Sequence, residues 1–463
     1  MAPAQNDFTR GSVSRNILNV ALPMTAAQLI NILYNLVDRM YIGRLPGEGR
    51  LALTGLGLAM PIISILLGFA NLCGTGGGAL CSIYRGRGEL DRARRVLGNC
   101  LTLLLIFGVS LTALGLLFRR PLLYLFGASD ATIPYADGYL TIYLLGTAFV
   151  MVGLGLNPLI NAQGFARVGM CTVALGAVVN VVLDPVFIFA LDMGVKGAAV
   201  ATVIAQGCSA LWVLRFLTGR RALLRLERKH LPLHGETVKK IVSLGMSGFI
   251  VSLTNSLVQV MCNANLRVWG GDLYVGVMTV INSVREVIFM PVIGMTHGSQ
   301  PVLGYNYGAG AYSRVRQGIR FVSGLTVGFS ALAWAATMLV PGLLIRVFND
   351  EAVLLEAGVP AFRAYFALFP FMALQMAGQT VFTALGRSRH AICFSLLRKA
   401  VLVAPLTVLL PPLWGLGVYG VFLAEPVSNL IGGLACYITM LLAVYRPLGR
   451  LPDTINRKEE VAL

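Results

Sequence analysis

NVVLDPVFIF, residues 180–189, decides how the rest of the chain is read. Eight of its ten residues carry neither charge nor amide, yet one is Asp184, followed at once by Pro185. An ionised carboxylate at the centre of a membrane helix costs about 2.5–3.5 kcal/mol even on lenient insertion scales. Such a residue must face the protein interior and find partners or a proton. Asn180 lies four residues before Asp184, hence on the same helical face. Pro185 cannot donate a backbone hydrogen bond and crowds the carbonyl of Val181, which frees acceptors beside the carboxylate.

The surrounding sequence supports a membrane setting. The 463-residue chain is 56% hydrophobic and only 12% charged, half the charge content of a typical soluble domain at about 25%. Apolar runs long enough to cross a hydrocarbon core of roughly 30 Å recur along it. Twelve are expected, at 17–42, 52–80, 97–118, 133–156, 168–190, 197–218, 241–266, 274–301, 320–344, 360–383, 391–412 and 416–444. None alternates at period two, which argues against a transmembrane barrel. The fold class expected is therefore an all-α membrane protein with twelve transmembrane helices. The first sixteen residues are polar, and the run after them is too long for the apolar region of a cleavable signal.

The net charge of +17 does not indicate nucleic-acid binding, because the basic residues alternate between connections. They concentrate at Arg85–Arg95, Arg220–Lys240, Arg314–Arg320 and Arg387–Lys399, and about 27 of 37 fall on the side of both termini. By the positive-inside rule both termini are expected in the cytoplasm and the protein in the plasma (inner) membrane, with membrane lipids as partners of the basic residues. The eight cysteines form no CxxC pair and read as small packing residues.

The two halves repeat at a nearly fixed offset. RGRGELDRAR (85–94) aligns with YGAGAYSRVR (307–316), Met24 with Met246 and Tyr143 with Tyr365, all 222 residues apart. GVKGAAVA (194–201) aligns with GVYGVFLA (417–424) at 223. The expected organisation is a cytoplasmic tail (1–16), an N-lobe of six helices (17–218), a basic linker (219–240), a C-lobe of six (241–445) and a second tail (446–463). Six is even, so the lobes are parallel repeats about an axis along the membrane normal, as in transporters that rock around a central site. A monomer is expected.

The intramembrane polar residues supply the candidate site. Asn31, Asn35 and Asp38 share a face of the first helix, and Tyr34 is one turn from Asp38. Asn157 and Asn161 flank Pro158 at the end of the fourth run, and Thr202 and Gln206 lie one turn apart on the sixth. Through the repeat, Asp38 corresponds to Val260 and Asp184 to Leu406, so these carboxylates belong to one half only. Carboxylates, amide oxygens and a hydroxyl in low dielectric suit a hard cation such as Na⁺, and a desolvated carboxylate also suits H⁺. The alternative is a hydrogen-bond network that only joins helices. In the other half, Glu286 follows Arg285, which reads as local charge compensation, and Glu425 precedes Pro426 as a possible second proton or substrate site. No His–Glu metal helix or nucleophile elbow is present, so neither an enzyme nor an organic cofactor is expected.

LPMTAAQLINILYNLVDRMYIGRL (22–45), NAQGFARVGM (161–170), NVVLDPVFIFALDMGVKGAAVATVIAQ (180–206) and MPVIGMTHGSQPVLGYNYGAG (290–310) together resemble the multidrug and toxic compound extrusion (MATE) family over essentially the whole chain. The resemblance implies an antiporter, coupled to H⁺ or Na⁺, that exports small organic, often cationic, compounds. It also implies a cation site at Asp38, Asn180, Asp184 and Thr202, with Asn157 from the fourth helix. A C-lobe acidic pattern known in some relatives is not reproduced, since the seventh run has no acidic residue. The rival cargo is a lipid-linked saccharide moved by a flippase of the same superfamily. That reading calls for several basic residues in the membrane, whereas the sequence reads as mostly acidic there apart from Arg285.

Overall fold

The computed structural model describes residues 8–45, 49–347 and 352–454. Among these the chain is built of helices, with no strand. Ten helices are individually long and apolar enough to cross a membrane. Two further pairs, Ile133–Leu145 with Thr147–Ala162 and Ala352–Phe366 with Phe369–Ala384, pass the same test jointly but bend by 60° and 40° at their junctions. Counting each pair as one span gives twelve, in the order expected.

The spans run Val13–Gly43, Leu51–Gly86, Leu90–Leu125, the first bent pair, Ala166–Ala190, Gly194–Thr218, Gly235–Gly271, Leu273–Gly308, Tyr312–Leu339, the second bent pair, Ser388–Leu409 and Val418–Leu448. Most extend past the apolar runs because helix continues into polar flanks, where backbone hydrogen bonding no longer depends on the bilayer. The ninth falls short of its run by the most: it stops at Leu339, because Pro341 opens a separate short helix, Pro341–Arg346, while the eleventh ends at Leu409 and the twelfth starts at Val418, each two or three residues inside its run. The fourth span, read from sequence as one apolar run, breaks at Gly146. A Cβ there would meet Val203 Cγ2 at 2.4 Å, so glycine permits the close approach that the bend requires.

Large apolar side chains on the outer faces are exposed. Leu117 is 70% accessible, Leu125 77% and Leu339 78%, the surface of a molecule solvated by lipid.

The chain divides into two compact units. The first holds Ala26–Phe249, the second Phe8–Thr25 with Ile250–Leu463. The division therefore cuts within the first and seventh helices and not in the basic linker. In the first unit the core centres on Leu97, Leu104, Leu140, Leu156 and Leu159, all fully buried. The start of the seventh helix is seated there by glycines: a Cβ on Gly76 would lie 2.1 Å from the Ile241 carbonyl oxygen, and one on Gly245 1.8 Å from that of Leu72. The linker is pinned to the same unit. Buried Asn99 donates to the carbonyls of His230 (3.1 Å) and Pro232 (2.9 Å) and accepts from the amide of His234 (2.9 Å). Gln163 accepts from the amide of Leu224. Burial pushes the His230 imidazole down from its ordinary value, so the neutral ring prevails there at neutral pH.

In the second unit, Arg314 donates to the carbonyls of Gly11 (3.0 Å) and Phe8 (3.1 Å), tying the start of the first helix to the eighth and ninth spans. Its core is built on Phe362, Phe366, Phe369 and Phe422.

Candidate functional sites: a carboxylate pair and a basic cluster

The Asp184–Pro185 step ends the α-helical part of the fifth span. The helix runs Ala166–Pro185 and continues as a π-turn, Val186–Ala190. Proline removes a rung from the hydrogen-bond ladder, and the wider turn absorbs the offset. Asp184 and Asn180 are almost wholly enclosed, at 0% and 1% exposure. The Asn180 side-chain amide donates to Asp184 Oδ1 at 3.1 Å and lies 3.3 Å from Thr202 Oγ1 on the sixth span. Asp38 is buried on the first helix, within electrostatic reach of Asp184. Tyr34 lies close to both carboxylates.

Among the described residues no Lys or Arg is within ion-pair distance of Asp38 or Asp184. Three oxygens at the cluster, Asp38 Oδ1, Asn180 Oδ1 and Asp184 Oδ2, are buried without a hydrogen-bond partner. Buried acceptors are rarely left so, and each one costs about 1–3 kcal/mol. Two carboxylates, an amide oxygen and a hydroxyl fit a monovalent hard cation or a proton. No group of three or more His, Cys, Asp or Glu side chains suited to a metal ion occurs among the described residues.

The remaining sequence candidates divide. Asn35 is exposed, and its side-chain amide donates to the backbone carbonyl of Asn31 at 2.7 Å, a contact within its own helix. Gln206 is half-buried one turn beyond Thr202. Asn157 and Asn161 are not brought to the carboxylates. Asn157 donates to the carbonyl of Gly169 at 3.0 Å, and Asn161 donates to Asn157. Gly169 precedes Asn180 by eleven residues, or roughly 16 Å along the helix at 1.5 Å per residue. The amides flanking Pro158 thus join the fourth and fifth spans at their shared hairpin. A participant that the sequence reading missed is Tyr139, buried, stacked on Tyr143 with ring centroids 6.1 Å apart and close to Thr202 and Asp38. Its i,i+4 spacing to Tyr143 was the available signal.

The second unit corrects the expectation that intramembrane charge is mostly acidic. Arg398 and Lys399, read from sequence as part of a connection, lie ten residues inside the eleventh span and are 7% and 3% exposed. Lys399 Nζ is 3.0 Å from Glu425 Oε1 and 3.3 Å from Oε2. Arg398 Nη1 is 3.3 Å from Glu425 Oε1 and donates to Asn429 Oδ1 at 2.7 Å. Glu425 is therefore a carboxylate compensated in place. The backbone around the two cations, Leu397–Val403, is again π-helical. Glu286 is exposed and stands outside this cluster, although Arg285 beside it faces inward.

A helical protein with ten to twelve candidate membrane spans and a polar cluster buried in each of two units has the build of a membrane transporter. Among solved structures the chain superimposes on the outward-facing conformation of a multidrug resistance MATE family transporter of the MOP superfamily, with TM-score 0.89 and 22% identity over 96% of this chain and 99% of that one. It matches a MATE transporter in the bent conformation with TM-score 0.89 and 22% identity, over 96% of this chain and 98% of that one. The MatE family model matches residues 23–186 and again residues 247–409, and the chain belongs to that family. A curated relative is the multidrug export protein MepA of Staphylococcus saprophyticus, 22% identical over 435 residues, which cover 93% of this chain and 95% of MepA. These relatives are transporters, and the chain is not an enzyme.

Proposed function

We propose that the chain is a multidrug-type exporter, an antiporter that expels small organic compounds, cationic ones among them, in exchange for H⁺ or Na⁺. The observation that carries this reading is the buried Asp38–Asp184 pair with its unpartnered oxygens and, among the described residues, no Lys or Arg at ion-pair distance. A fixed cation would hold the site in one state, whereas an exchangeable one couples its occupancy to the gradient. In the outward-open state H⁺ or Na⁺ enters between Asp38 and Asp184, held by Asn180 and Thr202. Neutralising the carboxylates removes the attraction for a cationic cargo, which leaves outward. The units then rock, and the ion departs to the cytoplasm. One charge moving down 100 mV supplies about 2.3 kcal/mol, enough for such a step.

The double match of the family model and the constant repeat offset support two six-helix lobes in parallel orientation. The charge alternation of the connections supports a plasma-membrane protein with cytoplasmic termini, and a single chain holds the whole site. A lipid-linked saccharide is the less favoured cargo, since the relatives reported above are multidrug exporters.

The test is export of ethidium from proteoliposomes under an imposed Na⁺ or H⁺ gradient, with Asp184→Asn beside the native protein. The native protein should respond to one gradient and the variant to neither. Normal export by the variant would reduce Asp184 to a helix-joining residue.

A further inference from the structure

The second unit contains a small cavity of about 30 Å³. That is room for one or two waters, or for a headgroup. Arg285, Lys399 and Glu425 line it, with Asn282, Tyr365 and Val421 completing much of the wall. Arg398 lies behind Lys399 and is turned toward Glu425 and Asn429. Among the described residues, Glu425 is the one acidic side chain within ion-pair distance of any of the three cations, and it is held by Lys399 and Arg398. Arg285 has the Tyr365 phenol as its hydrogen-bonding neighbour and no carboxylate at ion-pair distance. The cluster thus carries two positive charges more than negative ones, at membrane depth.

We propose that this cavity is an anion-recognition site, with Arg285 and Lys399 receiving the carboxylate or phosphate group of an amphipathic organic molecule. Uncompensated charge in a low-dielectric interior calls for a counterion, and a guanidinium beside an ammonium matches the oxygens of such a headgroup. Glu425 holds Lys399 and the Tyr365 phenol holds Arg285, so the pair is preorganised before any ligand arrives. Val258, Val403 and Val421 make part of the lining apolar, suited to the first carbons of a chain and not to a fully hydrated inorganic ion. A cargo that uses this site carries a negative group, alone or together with a positive one. The inference does not depend on how the carboxylate pair of the first unit is coupled.

Equilibrium dialysis of radiolabelled decanoate against the full chain in dodecyl maltoside tests it, with decyltrimethylammonium and inorganic phosphate run in parallel. Decanoate should bind saturably, near one per chain, and more tightly than either comparison ligand. Arg285→Gln should weaken decanoate at least about tenfold, the loss expected when one partner of a buried charge pair is removed. The variant should keep a melting temperature near native, since among the described residues Arg285 makes no ion pair with a carboxylate. Equal binding of decanoate and decyltrimethylammonium, undiminished decanoate binding by Arg285→Gln, or phosphate binding as tight as decanoate would each overturn the proposal. Failure of ethidium coupling in the native protein would instead count against the antiport reading and leave this one standing.

Discussion

The two units solve the problem of a buried carboxylate in opposite ways. Asp184 of the first is enclosed with one amide donor and a second carboxylate nearby, and oxygens of both aspartates are unpartnered. Glu425 of the second is enclosed under two fixed cations, with a third close by. Both sit in apolar helices one residue before a proline, so the local sequence setting is alike and the compensation differs. Where the countercharge is covalently part of the chain, the carboxylate is a fixture. Where it is absent, the site is open to a charge that comes and goes. This is the physical ground for placing ion coupling in the first unit and a ligand headgroup in the second.

The sharpest way to break that comparison is Glu425→Gln. Removing one member of a buried ion pair leaves Arg398 and Lys399 uncompensated and should cost about 3–5 kcal/mol. The readout is the melting temperature in detergent, and adding Lys399→Met to the same variant should recover part of the loss. Unchanged melting would mean that Glu425 is no fixture.

Asn99→Ala should cost about 1–3 kcal/mol, because the carbonyls of His230 and Pro232 and the amide of His234 lose their partner together. Hydrogen exchange should rise locally around residues 230–234, while export in proteoliposomes stays near native. An effect on export as large as that of Asp184→Asn would shift attention from the carboxylates to the linker.

Asn180→Ala removes the amide donor to Asp184, a hydrogen bond to a charged group. If Na⁺ is the coupling ion, the loss of the Asn180 amide oxygen should raise the Na⁺ concentration needed for half-maximal ethidium export by roughly tenfold without abolishing transport; if it is H⁺, less H⁺ should be needed, because the amide no longer competes with the proton for the carboxylate. Asn157→Ala is the smallest: its amide serves the Gly169 carbonyl, so the ion dependence should stay within about twofold of native. A loss equal to that of Asn180→Ala would return Asn157 to the cation site, where the family resemblance put it.

Much of this was legible in the sequence, for definite reasons. Apolar length gave the spans, and i,i+4 spacing gave the shared face of Asn180 and Asp184. The repeat located the asymmetry, since Asp38 and Asp184 align with Val260 and Leu406. The Arg398–Lys399 pair was misread because two adjacent basic residues near a turn look like a topology signal. The expected run 391–412 already contained both residues, yet they were counted with the basic connection that begins at Arg387; the helix start at Ser388 shows that they belong to the span alone. Asn157 was misplaced for a related cause. Spacing tells which face of its own helix a residue occupies, but not its level against a neighbour, which the tight hairpin at Gln163–Phe165 sets. The bend at Gly146 was hidden because glycine in an apolar run reads as packing, and its partner Val203 is distant in sequence.

The π-turns beside Asp184 and at Arg398–Lys399 have a mechanical meaning. Each stores one residue more than an α-turn needs, much as a dislocation stores an extra row in a crystal. Sliding such a defect along a helix breaks and remakes only a few hydrogen bonds at a time. Every residue it passes is turned about the axis by about 100°, the angular step of one residue in a helix of 3.6 per turn. A charge placed beside the defect can therefore be swung from one neighbour to another while the helix ends stay where they are anchored.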